Sequence, residues 1–568
     1  MSVARDPGVT LAGIGVRRRA WLAIGINRVR KASPCGRQYA FAGGRGFGKV
    51  RRVGWGGTGT PAAIGVIDQA ANRTIGPKPK ADARTPMELK DYSFRGLTQS
   101  FCPGCFALVE AKIIERRGRV YFRKRCPDCG VREDFICSDA DFYDRYEWSV
   151  PGKIPARTFT EPDKGCPFDC GLCTEHEQHT CIALVELTDA CNLECPMCFA
   201  ASLPGAKHRT LDEIRQAIDR LVAAEGRPEI LQLSGGEPTI HPDFLSVVDY
   251  AYAQPIDYIL INTNGLRLAS DPELVERLAE KKDRVEIFLQ FDGFDDAIHQ
   301  ELRGEALLDR KLRAIERLGQ AGLNVTLAAT LQGGVNERQI VPIVEFAAAR
   351  PWITAINFQP ATYSGRHVLP ETLEQRVTFP DVIKAIAAGI EDFRTDDFIP
   401  LPCAHPNCHS ISLAYRHNGR LTPLSRWFDF KEHFDLLANG IAFTREKTQQ
   451  LVRLYTSRLG CGASCGCGEP QKDGDTNQTR SETDAREPDG GEELMRRLLA
   501  GSLGARDFLR ITITSFLDVY NFDLRRVMKC CTHHVLPSGH VIPFALQRAL
   551  PRWTSHVAAT AGTQRANR

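Results

Sequence analysis

Residues 182–198 read IALVELTDACNLECPMC, an apolar run followed at once by three cysteines in CxxxCxxC spacing. The run has the length and aliphatic character of a strand buried on both faces, and the cysteines fall just beyond its carboxyl end. Similar runs follow: EILQLSG (229–235), YILINTNG (258–265), VEIFLQFDG (285–293), VTLAATL (325–331) and AINFQP (355–360). Amphipathic stretches separate them; in LDEIRQAIDRLVAA (211–224), Ile214, Ile218 and Leu221 recur at helical spacing. Six strands alternating with helices predict an α/β fold whose parallel sheet curls part-way into a (βα)6 barrel of the TIM type. Ligands in such sheets sit at the carboxyl ends of the strands, where the cysteines are.

Three thiolates on one loop can hold three irons of a 4Fe–4S cube and leave the fourth iron open to a ligand. The same spacing would serve a zinc loop, or a ferredoxin cluster with a distant fourth cysteine. The following strand ends bear on the choice. Ser234-Gly235-Gly236-Glu237-Pro238, Asn262-Thr263-Asn264-Gly265 and Gln290-Phe291-Asp292-Gly293 put polar groups on the same rim. Gly235 and Gly236 let backbone approach a ligand without a Cβ in the way, and Glu237 offers an acceptor for an ammonium. In this order, behind CxxxCxxC, residues 182–362 resemble the radical S-adenosylmethionine (SAM) superfamily. The resemblance implies that Cys191, Cys195 and Cys198 ligate the 4Fe–4S cluster that cleaves SAM reductively to a 5′-deoxyadenosyl radical. It implies that Gly235, Gly236, Glu237 and Pro238 bind the methionine amino group, with Asn262, Asn264, Gln290 and Asp292 beside them on the cofactor rim. Met197 departs from the aromatic residue usual before the third cysteine; its thioether can still pack on adenine.

Twenty cysteines in 568 residues, mostly in tight groups, are metal spacing and not a secreted disulfide framework. Cys166, Cys170, Cys173 and Cys181 lie within one short stretch and are expected to close an auxiliary 4Fe–4S cluster; zinc with His176 or His179 is the other reading. Cys102-x2-Cys105 and Cys126-x2-Cys129 are two knuckles around a basic hairpin, an S4 site for mononuclear iron or zinc. The basic run Arg116–Arg125 is expected to be a solvated hairpin face. Cys137 is expected to be a packed thiol. Cys403 and Cys408 are expected to join Cys530 and Cys531 in a further auxiliary cluster, with His405 or His533 able to complete it. Cys461, Cys465 and Cys467 form either an accessory loop or a bystander group, and Cys35 stands alone.

The net charge of +4 hides a division: residues 1–67 carry twelve Lys and Arg against Asp6, so the remainder is mildly acidic. That speaks against a nucleic-acid binder, as does the chemistry of the motifs against a mere electron carrier or zinc-ribbon module. Residues 1–88 read as a tail, with Met87 as an alternative start. Residues 89–150 read as a rubredoxin-like or zinc-ribbon module, 151–181 as an auxiliary cluster segment and 182–400 as the core. Residues 401–550 read as a cluster-binding extension interrupted by a polar insertion at 469–492, and 551–568 as a tail. No run is long and apolar enough to span a bilayer, and free thiols in such numbers suit a reducing, cytoplasmic setting; peripheral membrane contact stays open.

A closer resemblance covers roughly residues 89–550, carried by GCPFDCGLCTEHEQHTCIALVELTDACNLECPMCFA (165–200), SGGEP, LINTNG, QFDG and the late CCTHHVLPSG (530–539). These are similar to the group of tetraether lipid synthase, which also carries the name 7,8-dihydro-6-hydroxymethylpterin dimethyltransferase. The resemblance implies two auxiliary clusters and a reductant such as ferredoxin or flavodoxin. It also implies hydrogen abstraction from an unactivated carbon, with a carbon–carbon bond formed on a lipid chain. The alternative is radical methylation of a pterin. The first needs a long apolar tunnel and the second needs polar groups around a heterocycle.

Overall fold

The alternation of apolar strands and amphipathic helices is realised as one sheet with helices on one face. The computed structural model describes residues 90–433 and 490–549, all within one unit, Met87–Arg568. Cys35, Cys461, Cys465, Cys467 and residues 469–489 of the expected insertion lie outside the described residues. Residues 490–492 belong to a helix, Gly490–Leu499, so the polar segment is helical at its end.

The core follows the sequence reading closely. Strands β5 (Ile182–Thr188), β6 (Ile230–Gly235), β7 (Tyr258–Thr263), β8 (Val285–Gln290), β9 (Asn324–Leu331) and β10 (Ile353–Pro360) are parallel neighbours in that order. Helices α1 (Leu211–Glu225), α2 (Phe244–Tyr252), α3 (Leu266–Ser270), α4 (Pro272–Ala279), α5 (Asp296–Arg303), α6 (Leu308–Gln320), α7 (Ile340–Ala348) and α8 (Phe379–Gly389) intervene or follow. Helix α1 starts where its sequence says it should. The Thr210 hydroxyl accepts from the Glu213 N–H, and the Glu213 carboxylate accepts from the Thr210 N–H, a reciprocal cap. Its buried stripe is Ile214, Ala217, Ile218, Leu221 and Ala224. It meets Ala183, Val185, Leu187, Leu231 and Leu233 in the main hydrophobic core, which lies between the helices and one face of the sheet.

The sheet extends further than six strands. β14 (Phe508–Thr514) joins parallel to β10, and β15 (Thr532–Val535) joins parallel to β5. β12 (His409–His417), with β11 (Ile399–Pro400) and β13 (Arg420–Pro423), and β16 (Val541–Pro543) add antiparallel edges. The C-terminal extension therefore completes the sheet on both sides.

Before the core stands an antiparallel ribbon of β1 (Ser93–Phe101), β2 (Leu108–Arg116), β3 (Arg119–Cys126) and β4 (Gly130–Cys137). The expectation of a wholly solvated basic hairpin fails at Lys124. Its side chain is fully buried, pairs with Asp134 at 2.9 Å and donates to the carbonyls of Phe101, Val519 and Tyr520. Alternation along β3 turns Lys124 inward with Val120 and Phe122, and the ammonium finds carbonyls of the C-terminal segment there. Lys124→Met should cost about 3 kcal/mol by leaving Asp134 and three carbonyls short of a donor, read as a lowered urea midpoint.

Candidate active site and metal centres

The loop carrying Cys191, Cys195 and Cys198 leaves β5 at its carboxyl end and is fixed by its backbone. Cys191 N–H donates to Leu203 O at 3.2 Å, Cys198 N–H to Arg366 O at 2.9 Å and Met197 N–H to Leu302 O at 3.3 Å. The Arg366 side chain donates to the carbonyls of Cys195 and Ser202, at 3.0 and 2.7 Å. Arg303 donates to Met197 O at 3.3 Å while making a two-pronged bond to Asp292, at 2.7 and 2.8 Å. The three thiols thus project from a loop that does not depend on them. Such a donor set, on a backbone already held, fits a cluster that binds through three thiolates. Burial pushes Cys191 up to about 12 and raises Cys195, with the nearby Arg303 guanidinium opposing the rise at Cys195.

The glycine turn serves that loop. Gly235 has φ 132°, and a Cβ there would lie 2.3 Å from Thr188 O; at Gly236 it would lie 2.2 Å from Ala190 O. The close approach that needs glycine is therefore between this turn and the cysteine loop, sealed by Gly236 N–H to Thr188 O and Glu237 N–H to Ala190 O. Glu237 does not offer its carboxylate to an incoming ammonium. It is 1% exposed, one oxygen accepting from the Thr239 N–H, the Thr239 hydroxyl and the Thr263 hydroxyl, and the other from the Asn264 N–H. A carboxylate here ties β6 to β7. Pro238 continues the turn into a short helical segment, Pro238–Ile240.

Asn262 donates to the Ser234 hydroxyl at 3.1 Å, and Asn264 donates to Asn192 Oδ1 at 2.7 Å, linking the rim directly to the cysteine loop. Asp292 is fully buried, its carboxylate taken by Arg303, Gln290 and the Thr330 N–H, so it orients the rim and does not face it. Lys311, which the sequence reading missed, lies under the same rim. Its ammonium donates to Asn264 O, Gln290 O and Gln290 Oε1, and burial lowers it to about 7. The signal for it is a lysine on the apolar stripe of α6, among Ala314, Ile315 and Leu318.

The Asp292–Arg303 pair supports a pH prediction. Burial raises the Asp292 carboxyl, but Arg303 and then Lys311 outweigh it, so the group is held below the usual range. A depressed carboxyl adds stability that is complete above the ordinary value near 4 and is lost as pH falls through the native one. Asp292→Asn should cost about 3–5 kcal/mol at neutral pH by stranding Arg303, and the deficit should shrink on acidification, followed by urea unfolding across pH.

The knuckles meet as expected. The ligand atoms of Cys102, Cys105, Cys126 and Cys129 all lie within 4.8 Å of one another, fitting one tetrahedral ion. Burial alone would raise Cys102, but N–H groups of Cys105 and Gly104 bring it down to about 7. Cys137 is a fully buried thiol that donates to Asp139 O, and burial pushes it up to about 12.

The remaining cysteines are arranged differently from their sequence order. Cys181 lies with Cys403 and Cys531, all three sulfurs within 4.8 Å and all fully buried. It does not complete a set of that closeness with Cys166, Cys170 and Cys173. Cys408 packs with the Cys181–Cys403–Cys531 group. Cys170 is raised first by burial and then by the charges of Cys166, Cys173 and Cys530. The histidines considered as ligands are engaged elsewhere. His405 bonds Tyr146 Oη at 2.8 Å and accepts from the Asn407 N–H. His176 and His533 face each other at 3.0 Å, with His533 on Thr180 and His176 on Cys530 O. His179 bonds Glu225 at 3.0 Å and stands 3.5 Å from the Cys181 sulfur.

Residues 94–138 match the HMPTM N-terminal zinc ribbon domain. Over 488 residues the chain is 28% identical to 7,8-dihydro-6-hydroxymethylpterin dimethyltransferase of Methanocaldococcus jannaschii, covering 80% of this chain and 94% of that protein. Over 167 residues it is 34% identical to mycofactocin maturase MftC of Mycobacterium tuberculosis, covering 28% of this chain and 39% of that one. The crystal structure of Streptococcus suis SuiB aligns at a TM-score of 0.32 and 17% identity, over 37% of this chain and 46% of that one. Residues 185–347, the stretch that carries the three-cysteine loop and the rim built around it, match the radical SAM superfamily, and this stretch is the radical SAM domain of an enzyme.

Proposed function

We propose that this enzyme methylates a pterin-type heterocycle by SAM-derived radical chemistry. The observation that carries the reading is the sheet face turned away from the helices. Its neighbours Leu233, Ile261, Leu289, Ala329, Phe358 and Ile513 point into the main core. By alternation Ser234, Asn262, Gln290, Thr330, Gln359 and Thr514 stand on the opposite face, each at the carboxyl end of its strand. Below this polar rim lies an apolar floor of Ile230, Leu260, Phe288 and Ala328. A flat, polar heterocycle suits a floor of that kind under a ring of donors and acceptors. Several of these groups are bonded within the protein, Asn262 to Ser234, Lys311 to Gln290, Arg303 to Thr330 and His409 to Thr514, and a polar ligand edge can add to those bonds where an alkyl chain adds none. The M. jannaschii relative, matched over 94% of its length and named as a pterin dimethyltransferase, supports the same reading over the lipid one.

Cys191, Cys195 and Cys198 would hold the SAM cluster, which supplies the electron for cleavage of SAM. The knuckle site would hold one zinc or iron ion, and the deeper cysteines two auxiliary 4Fe–4S clusters. A low-potential carrier such as ferredoxin or flavodoxin would reduce them. Among the described residues no helix is long and apolar enough to cross a membrane. The test is anaerobic incubation of the reconstituted enzyme with SAM, reductant and 6-hydroxymethyl-7,8-dihydropterin, followed by mass spectrometry for methyl gain on the pterin.

A further inference from the structure

We propose that Arg376, Tyr363 and Gln332 form the subsite that reads a cyclic-amide edge of the substrate, beside the three-cysteine loop. This rests on the pterin reading above and gives substrate recognition to residues outside the SAM motifs.

The chain brings the three together from separate segments. Gln332 follows β9, Tyr363 comes soon after β10, and Arg376 ends the short helical turn Leu373–Gln375 that precedes α8. The Ala361 N–H donates to Leu331 O at 2.9 Å, which keeps the exits of β9 and β10 paired. A Cβ at Gly333 would lie 2.0 Å from Gln375 O, so glycine lets the exit of β9 close on the segment that carries Arg376. These exits are the carboxyl ends of parallel strands, where such sheets bind their ligands. Tyr363 packs in one apolar cluster with Met197, Ile298 and Leu302. Met197 stands between Cys195 and Cys198, and Arg366, just past Tyr363, braces the same loop. The subsite therefore borders the loop at which SAM would be cleaved.

These side chains have hydrogen-bonding capacity that the fold leaves unused. Arg376, Tyr363 and Gln332 are 5%, 3% and 6% exposed. The Arg376 guanidinium carbon lies 4.5 Å from the centre of the Tyr363 ring, and Nη2 donates to Asp518 Oδ2 at 2.5 Å. Asp518 is already shared out: the same oxygen accepts from the Tyr363 N–H, and the other from the N–H groups of Tyr520 and Asn521. Among the described residues, Arg376 Nε and Nη1, Tyr363 Oη and Gln332 Oε1 have no hydrogen-bond partner. Buried polar groups are as a rule partnered, so four such atoms on three neighbouring side chains mark a place for a polar group from outside.

Charge selects the class of that group. Asp518 balances Arg376, so a full anion would be buried with no free positive charge to meet it, whereas a neutral carbonyl can accept from Nε or Nη1 without that cost. Gln332 Oε1 calls for an N–H. A cyclic amide presents C=O and N–H on adjacent ring atoms, and the 4-oxo group and N3–H of a pterin are such a pair. The Tyr363 hydroxyl can donate or accept and serves either one. An alkyl chain would satisfy none of the four atoms.

The experiment uses the intact, anaerobically loaded enzyme, with variants compared at equal iron content and binding measured by equilibrium dialysis. The probes are 6-hydroxymethyl-7,8-dihydropterin, its N3-methyl derivative and glycerol phosphate. Arg376→Gln, Tyr363→Phe and Gln332→Leu should each weaken pterin binding by about tenfold, the worth of one buried hydrogen bond. Tyr363→Phe and Gln332→Leu keep the Arg376–Asp518 pair, so they test the subsite even where Arg376→Gln does not fold. N3-methylation should weaken binding to the wild-type enzyme by a similar factor and add nothing further in Gln332→Leu. Unchanged pterin binding in Tyr363→Phe and Gln332→Leu would overturn the subsite and leave the pterin reading standing. Glycerol phosphate that binds more tightly than the pterin, and is lost in Arg376→Gln, would overturn the amide edge and give the site to an anionic headgroup. Wild-type enzyme that binds no pterin would overturn the underlying reading itself, before any variant is made.

Discussion

Replacing Cys191, Cys195 and Cys198 together with Ala is expected to abolish 5′-deoxyadenosine formation and to leave the other metal centres loaded. The structural reason is that the loop is held by everything except its sulfurs. Arg366, Arg303 and the backbone bonds to Leu203, Leu302 and Arg366 remain when the thiols are gone. The knuckle cysteines stand on a separate ribbon, and Cys181, Cys403 and Cys531 lie at the entry end of β5, whereas the deleted thiols follow its carboxyl end. Iron content should fall by about four per chain, one cube's worth. Reductive cleavage of SAM should drop below detection when the reaction is started with dithionite and followed by chromatography. Cleavage that survives in the triple variant would show that another cysteine group binds SAM, and the assignment would fall.

Much of the core could be read in the sequence because burial on both faces leaves a strong mark. Six apolar runs became β5 to β10 with ends shifted by a few residues, as in VEIFLQFDG, where the strand stops at Gln290. The two strands that extend the parallel sheet were not read. FLRITIT and THHV carry no sign that one pairs with residues 353–360 and the other with 182–188. Cysteine spacing has the same limit. Cys181 is near Cys173 along the chain, but sheet register brings it to Cys531, and register across 350 residues has no local signature.

The motif residues show a subtler limit. SGGEP lies against the cysteine loop, yet the carboxylate of Glu237 is used within the protein, because a buried charge needs several donors and Thr239, Thr263 and Asn264 provide them. Asp292 is drawn in the same way to Arg303. Lys124 and Lys311 were missed because charged residues are read as surface by default, and only the fold shows which lysine has enough carbonyls around it to be buried.

Offered a dihydropterin and a long-chain lipid in separate reactions, the reduced enzyme is expected to methylate the pterin and to leave the lipid unchanged. Each of the six rim positions carries an amide or hydroxyl, and Ser234, Asn262, Gln290, Thr330 and Thr514 are already bonded within the protein. A polar ligand edge can add hydrogen bonds to these groups, whose oxygens accept more than one. An alkyl chain adds none, so it is disfavoured at this rim relative to a polar edge even though the floor beneath it is apolar. A heterocycle with ring nitrogens and a carbonyl meets the amides edge-on while its face lies over Phe288 and Leu260. SAM labelled in its S-methyl group will report whether that methyl is the one delivered. Deuterium placed on carbon in each candidate will report which one loses hydrogen to 5′-deoxyadenosine. Transfer of deuterium from the lipid chain, with no methyl gain on the pterin, would restore carbon–carbon bond formation between alkyl chains as the reaction. It would also require the rim amides to turn away from the substrate, which a structure with the lipid bound would display as broken bonds at Asn262 and Gln290.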